Sequence, residues 1–141
     1  MGYPMQPITS TASALTLDRD VHSGNTLVID RAAGWTITLP ASSGDGDEYE
    51  IFVGTTVTAN GVIQVANSTD VINGGVSIST DIAGVTFLAA ATDDTITMNG
   101  STTGGLQGSF VKLKDVKSGF WRVEGFLASS GSEADCFSAA V

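Results

Sequence analysis

Four carboxylates crowd one short stretch of the chain: Asp45, Asp47, Glu48 and Glu50, within SSGDGDEYE. Carboxylate oxygens in a glycine-containing loop are donors that Ca2+ takes. The spacing lacks the twelve-residue loop and closing glutamate of an EF-hand. A loop held in solvent by its own charge accounts for the same residues. Cys136 and His22 are the single cysteine and the single histidine. A nucleophilic thiol needs a neighbouring base. Nothing around either residue forms such a motif, so Cys136 reads as a small buried or half-buried hydrophobe and His22 as an exposed turn residue before Ser23-Gly24. Glycoside hydrolysis needs two carboxylates placed across a sugar, and no pair is singled out. There is no G-x-S-x-G elbow, no phosphate-binding loop and no histidine cluster. The expectation is a non-enzymatic protein with no metal, no cofactor and no small-molecule substrate.

A second group of charges surrounds the first strands: Asp18, Arg19, Asp20, Asp30 and Arg31. Alternating signs there suit surface ion pairs, each contributing roughly 0–1 kcal/mol. They also suit contacts to a partner, where rim charges set register more than affinity.

The elements that position these residues are short strands. Trp35, Ile37 and Leu39 alternate with Thr36 and Thr38, the period of a strand with one buried face. Pro40 cannot donate to a ladder and stops it. Similar segments recur at 15–17, 26–30, 49–53, 55–59, 62–66, 76–79, 85–90, 95–98, 110–113 and 120–128. Asn60-Gly61, Asn73-Gly74 and Asn99-Gly100 read as type I′ hairpin turns, in which both positions need positive φ. The segment 57–64 is the clearest hairpin. In 120–128, Trp121, Val123 and Leu127 fall on one face and Phe120, Arg122, Glu124 and Phe126 on the other. Gly125 sits mid-strand, where a bulge or a close backbone approach is expected. No window keeps a helical period, and no clean repeat supports a propeller or solenoid. The expected fold is all-β: a single-domain antiparallel β-sandwich, jelly-roll-like or barrel-like, over residues 14–141. Residues 1–13 hold two of the three prolines and read as an extended N-terminal arm.

Composition narrows the partners. The chain has 141 residues, enough for one domain with a sizeable core. Its net charge is −9 with only six Lys and Arg, which disfavours nucleic acid and anionic membrane surfaces. Charged residues make up 15%, below the usual share, leaving uncharged surface for subunit contacts. No segment reaches the 18 or more apolar residues of a membrane span, and the first residues lack signal-peptide features. Synthesis and assembly in the cytoplasm of the producing cell are expected.

Four phrases carry a family likeness: TITLPASSGDGDEYEIFVG, TANGVIQVANSTDVINGGV, DTITMNGSTTGGLQGSFVKLKDV and GFWRVEGFLASSGSEADCFSAAV. Together they resemble the capsid decoration, or cement, proteins of tailed bacteriophages, over residues 15–141. Where the family pattern has a proline before Phe137, this chain has Cys136. The resemblance implies a structural virion protein on the outer capsid surface. It implies a homotrimer that clamps neighbouring subunits of the major capsid protein, with an N-terminal arm along the shell. On that reading Tyr3, Met5, Ile8, Asp18, Arg19, Asp20 and His22 are the expected capsid contacts. Phe110, Trp121 and Phe126 are the expected trimer contacts, with ordinary core the favoured place for Trp121. Two alternatives stay open: a trimeric tail-fibre or receptor-binding module that recognises host glycans, and a glycan hydrolase.

Overall fold

A computed structural model describes residues 6–141. From its start the chain steps back and forth between two sheets. β1 (Ile8–Ser10), β3 (Thr26–Ile29), β5 (Glu48–Val53) and β7 (Val71–Ser79) lie in the larger sheet. β2 (Ala14–Thr16), β4 (Trp35–Thr38) and β6 (Gly61–Gln64) lie in the smaller one. β1, β3 and β5 run parallel, as do β2, β4 and β6. A single turn of helix, α1 (Arg19–His22), links β2 to β3.

The later strands run back. β8 (Gly84–Leu88) is antiparallel to β7, and β9 (Thr95–Met98) is antiparallel to β6. β10 (Phe110–Lys117) and β11 (Phe120–Ala128) form a hairpin that inserts between β5 and β7. β12 (Phe137–Ser138) closes the small sheet beside β9. The sheet orders are β1-β3-β5-β10-β11-β7-β8 and β12-β9-β6-β4-β2.

The protein is therefore an all-β sandwich, and its sheets are mixed rather than antiparallel throughout. Parallel neighbours need a crossover of a dozen or more residues. Here each crossover contains a strand of the opposite sheet, so no long helix is required. Among the described residues no helix is long and apolar enough to cross a membrane.

One hydrophobic core fills the space between the sheets. It includes Leu27, Ile37, Ile51, Ile63, Ile72, Ile96, Leu113, Trp121 and Leu127. β3, β4, β5, β6 and the start of β10 supply every second residue, as a period of two requires. β11 buries Trp121, Val123 and Leu127 and turns Arg122, Glu124 and Phe126 outward.

Several local expectations are corrected. Segment 55–59 is not a strand, and Gly61–Gln64 pairs with β4 and β9 instead of forming a hairpin with it. Asn73-Gly74 lies inside β7. No non-glycine residue among those described has positive φ, so none of the three Asn-Gly pairs forms a type I′ turn. Gly61 is required by space: a Cβ there would sit 2.5 Å from the indole of Trp35, its neighbour across the β4–β6 ladder. Gly125 shows the close approach expected of it, since a Cβ would meet the Phe110 carbonyl and the Val111 Cα of β10.

The arm boundary also shifts. Ile8–Ser10 is an edge strand of the larger sheet, with Ile8 opposite Leu27 and packed against the core. Asn25 donates a side-chain hydrogen bond to the Gln6 carbonyl at 2.9 Å. Residues 8–10 thus belong to the sandwich, and Ile8 is tied down within this chain. Tyr3 and Met5 lie outside the described residues.

Candidate functional site

The acidic stretch divides into two roles. Asp45 and Asp47 precede β5 and face α1, where Arg19 holds both: Nη1 is 3.2 Å from Asp45 and Nε is 2.9 Å from Asp47. Ser23 and Ser43 donate to the same carboxylates. Glu48 and Glu50 are strand residues on the outer face, and Glu50 sits 3.7 Å from Lys112. Among the described residues no group of three or more His, Cys, Asp or Glu is placed to hold a metal ion.

His22 corrects its sequence reading, because it is buried. The helical turn folds its ring back so that Nδ1 accepts the Asp18 backbone N–H at 2.8 Å. Asp18 in turn caps α1 by accepting the Asp20 N–H. His22 is thus a structural residue of this turn and offers little surface to a partner. Asp18, Arg19 and Asp20 are exposed around it.

Cys136 is buried and directly precedes β12 of the smaller sheet. Burial pushes its thiol up to about 12, and the neighbouring Asp135 carboxylate adds to this. The thiolate is the reactive form. The native thiol is therefore expected to resist a water-soluble disulfide reagent at mildly alkaline pH and to react stoichiometrically after unfolding. Rapid labelling of the native protein would contradict this assignment.

Four aspartates outside the candidate site residues are buried: Asp70, Asp93, Asp94 and Asp115. Each organises backbone. Asp115 accepts Ser42 Oγ–H at 2.7 Å and the N–H groups of Ser43 and Gly44 at 2.8 and 2.9 Å. Burial alone would raise its pKa, but these hydrogen bonds outweigh that and hold it below the ordinary aspartate value. Asp70 accepts the Ser42 N–H at 2.8 Å. Asp94 accepts the Ala140 N–H at 2.8 Å and so fastens the C-terminal segment. A carboxylate that faces several N–H groups stabilises an irregular loop because its charge strengthens each bond.

Of the three expected trimer contacts, Trp121 is core, 1% exposed, with its ring 5.8 Å from that of Tyr49. It is not available to a neighbouring subunit. Phe110 and Phe126 behave differently. They face each other across the β10–β11 ladder on the outer face. The same row continues through Phe52 to Val28 on one side. On the other it continues through Ser77 to Thr86. Val28, Phe52, Phe110 and Phe126 thus form one apolar ladder over four adjacent strands. The next row reads Thr26, Glu50, Lys112 and Glu124, and the one beyond it Glu48, Lys114 and Arg122.

This ladder was only half legible. Alternation within each strand marks the outward residue, but alignment across strands needs the register. Phe126 also lines an open groove of roughly 680 Å3 with Ile82, Leu106 and Ser130. Such a surface can bury apolar area against a partner, and it contains no nucleophile–base pair. No protein-family model, curated protein or solved structure matches this chain.

Proposed function

We propose that this chain is a structural virion protein that binds the outer surface of a phage capsid. On this reading it acts as a homotrimer, clamps neighbouring subunits of the major capsid protein and stabilises the head without catalysis. The likeness of the four sequence phrases to decoration proteins suggests the reading. The observation that carries it is the outer face of the larger sheet, where phenylalanines lie in register on a rigid scaffold and leave an apolar surface uncovered. The exposed Asp18, Arg19 and Asp20 at one end of the sandwich are the proposed capsid contacts. Each trimer would make several weak contacts at once, and linked contacts bind far more tightly than any one alone.

Sedimentation with decoration-free capsids tests the proposal. Co-sedimentation that saturates at a fixed ratio to capsid sites is expected. Protein that stays in the supernatant at saturating concentration would overturn it. The groove beside Phe126, lined also by Asp81 and Ser130, favours a second reading as a glycan-recognising tail-fibre module. Binding to host cells or envelope glycans, with none to capsids, would select that reading.

A further inference from the structure

We infer that copies of this chain associate through the outer face of the seven-stranded sheet, from the Val28–Phe126 ladder to the β8 edge. The inference rests on the self-assembling reading above and names its surface. Large exposed hydrophobic residues gather at this margin. Ile82 is 90% exposed, Leu88 72% and Phe126 40%. Leu88 is opposite Gly75 and Thr86 opposite Ser77, so β8 extends the same outer surface next to Phe126. A contiguous apolar surface of this kind marks an interaction site more often than scattered single residues do.

The free edge of β8 adds to it. Among the described residues the strand pairs only with β7, and it ends the sheet. Its sequence, Gly84-Val85-Thr86-Phe87-Leu88, has no charge and no proline, the usual devices that keep an edge from pairing.

Charge selects the occupant. The outer face carries Glu48, Glu50 and Glu124 against Lys112, Lys114 and Arg122, half of the chain's six basic residues. The strands of the face are balanced and Asp81 in the loop before β8 adds one negative charge, so most of the net charge of −9 lies elsewhere on the molecule. Two copies of so acidic a chain repel at most approaches. Here they meet without that penalty, and two rows of mixed sign, Glu50-Lys112-Glu124 and Glu48-Lys114-Arg122, supply complementary charges. The outer face of the smaller sheet is free of charged residues, built from Ala14, Thr16, Thr36, Thr38, Val62, Gln64 and Thr97. It holds none of the exposed large hydrophobic residues, so covering it yields less apolar burial.

Light scattering on gel-filtered wild-type, Leu88→Glu, Phe126→Glu and Thr36→Glu proteins tests the inference. The wild type is expected at a multiple of the 14.4 kDa chain mass. Thr36→Glu should match it. Leu88→Glu and Phe126→Glu should each raise the dissociation constant at least tenfold and elute toward the single-chain mass, with unchanged circular dichroism. Leu88 is on an exposed edge, so Leu88→Glu decides the matter if Phe126→Glu fails to fold. A wild-type monomer at tens of micromolar overturns the inference, as does a Leu88→Glu oligomer of undiminished mass. Capsid co-sedimentation, run on the same proteins, reports separately on the functional proposal. Leu88→Glu protein that keeps its oligomeric mass and loses capsid binding would assign this face to the capsid instead of a second copy.

Discussion

Trp121→Ala is expected to lower the stability of the fold by about 3–5 kcal/mol, the range for truncating a large buried aromatic. A domain of this kind has about 5–15 kcal/mol in all, so the variant should unfold at a much lower denaturant midpoint. The side chain lies between the sheets, tilted 53° against Tyr49 and surrounded by core residues. Removing it leaves a cavity that the two packed sheets cannot close without moving strands.

Trp121→Phe should cost only about 1–2 kcal/mol. The indole Nε1 is buried with no hydrogen-bond partner among the described residues, so losing it removes an unsatisfied donor. That relief offsets part of the lost volume. Urea melts of both variants at two protein concentrations check the assignment. A core role predicts the same loss at each concentration. A loss that shrinks as the protein is concentrated would instead place Trp121 between subunits.

Asp115→Asn is expected to destabilise by about 1–3 kcal/mol and to loosen the loop before β5. One carboxylate oxygen of Asp115 accepts from Ser42 and Gly44, the other from Ser43. An amide keeps one acceptor and turns an N–H group toward the donor opposite the other. Ser42 Oγ also accepts the Gly119 N–H at 3.0 Å, so the disturbance reaches the β10–β11 turn. Amide exchange at Ser43, Gly44 and Gly119 should quicken strongly in the variant, while exchange at Leu113 and Trp121 quickens only by the global change. Equal loosening across all five amides would contradict a local role.

The same residue gives a pH dependence. Its folded pKa is held below the unfolded value, so its charged form stabilises the native state. That contribution is fully present above the unfolded aspartate pKa of about 4 and is lost as pH falls through the lower folded value. Wild-type stability should therefore drop below about pH 4 more steeply than that of Asp115→Asn. Parallel acid limbs in the two proteins would show that Asp115 does not titrate as described.

Much of the local structure is legible in the residues. The alternation in 120–128 identifies which side of β11 is core and which is outer surface, and Thr95–Met98 is a strand with the bounds its residues suggest. Periodicity succeeds there because a side chain's face depends only on its own strand. It fails where two signals of equal local strength compete. Asn73-Gly74 has turn chemistry, yet β7 runs through it because β11 and β8 hold the strand on both sides. His22 looks like a solvent residue, yet one helical turn folds its ring onto a backbone donor. The edge strand Ile8–Ser10 has too few residues to show a period and exists because β3 offers a free ladder.

By itself the sequence determines an all-β chain, the inner and outer faces of its longer strands, an acidic surface and a shortage of catalytic groupings. These follow from composition and from the two-residue period, which neighbours in sequence establish. Only the tertiary structure decides that successive strands coil between sheets, that the hairpin of β10 and β11 inserts between β5 and β7, and that four aspartates are buried as loop anchors. It alone aligns Val28, Phe52, Phe110 and Phe126 into one row. Those relations are made by hydrogen bonds and packing between segments far apart in the chain, and a shift of one residue in any ladder would send the row to the opposite face.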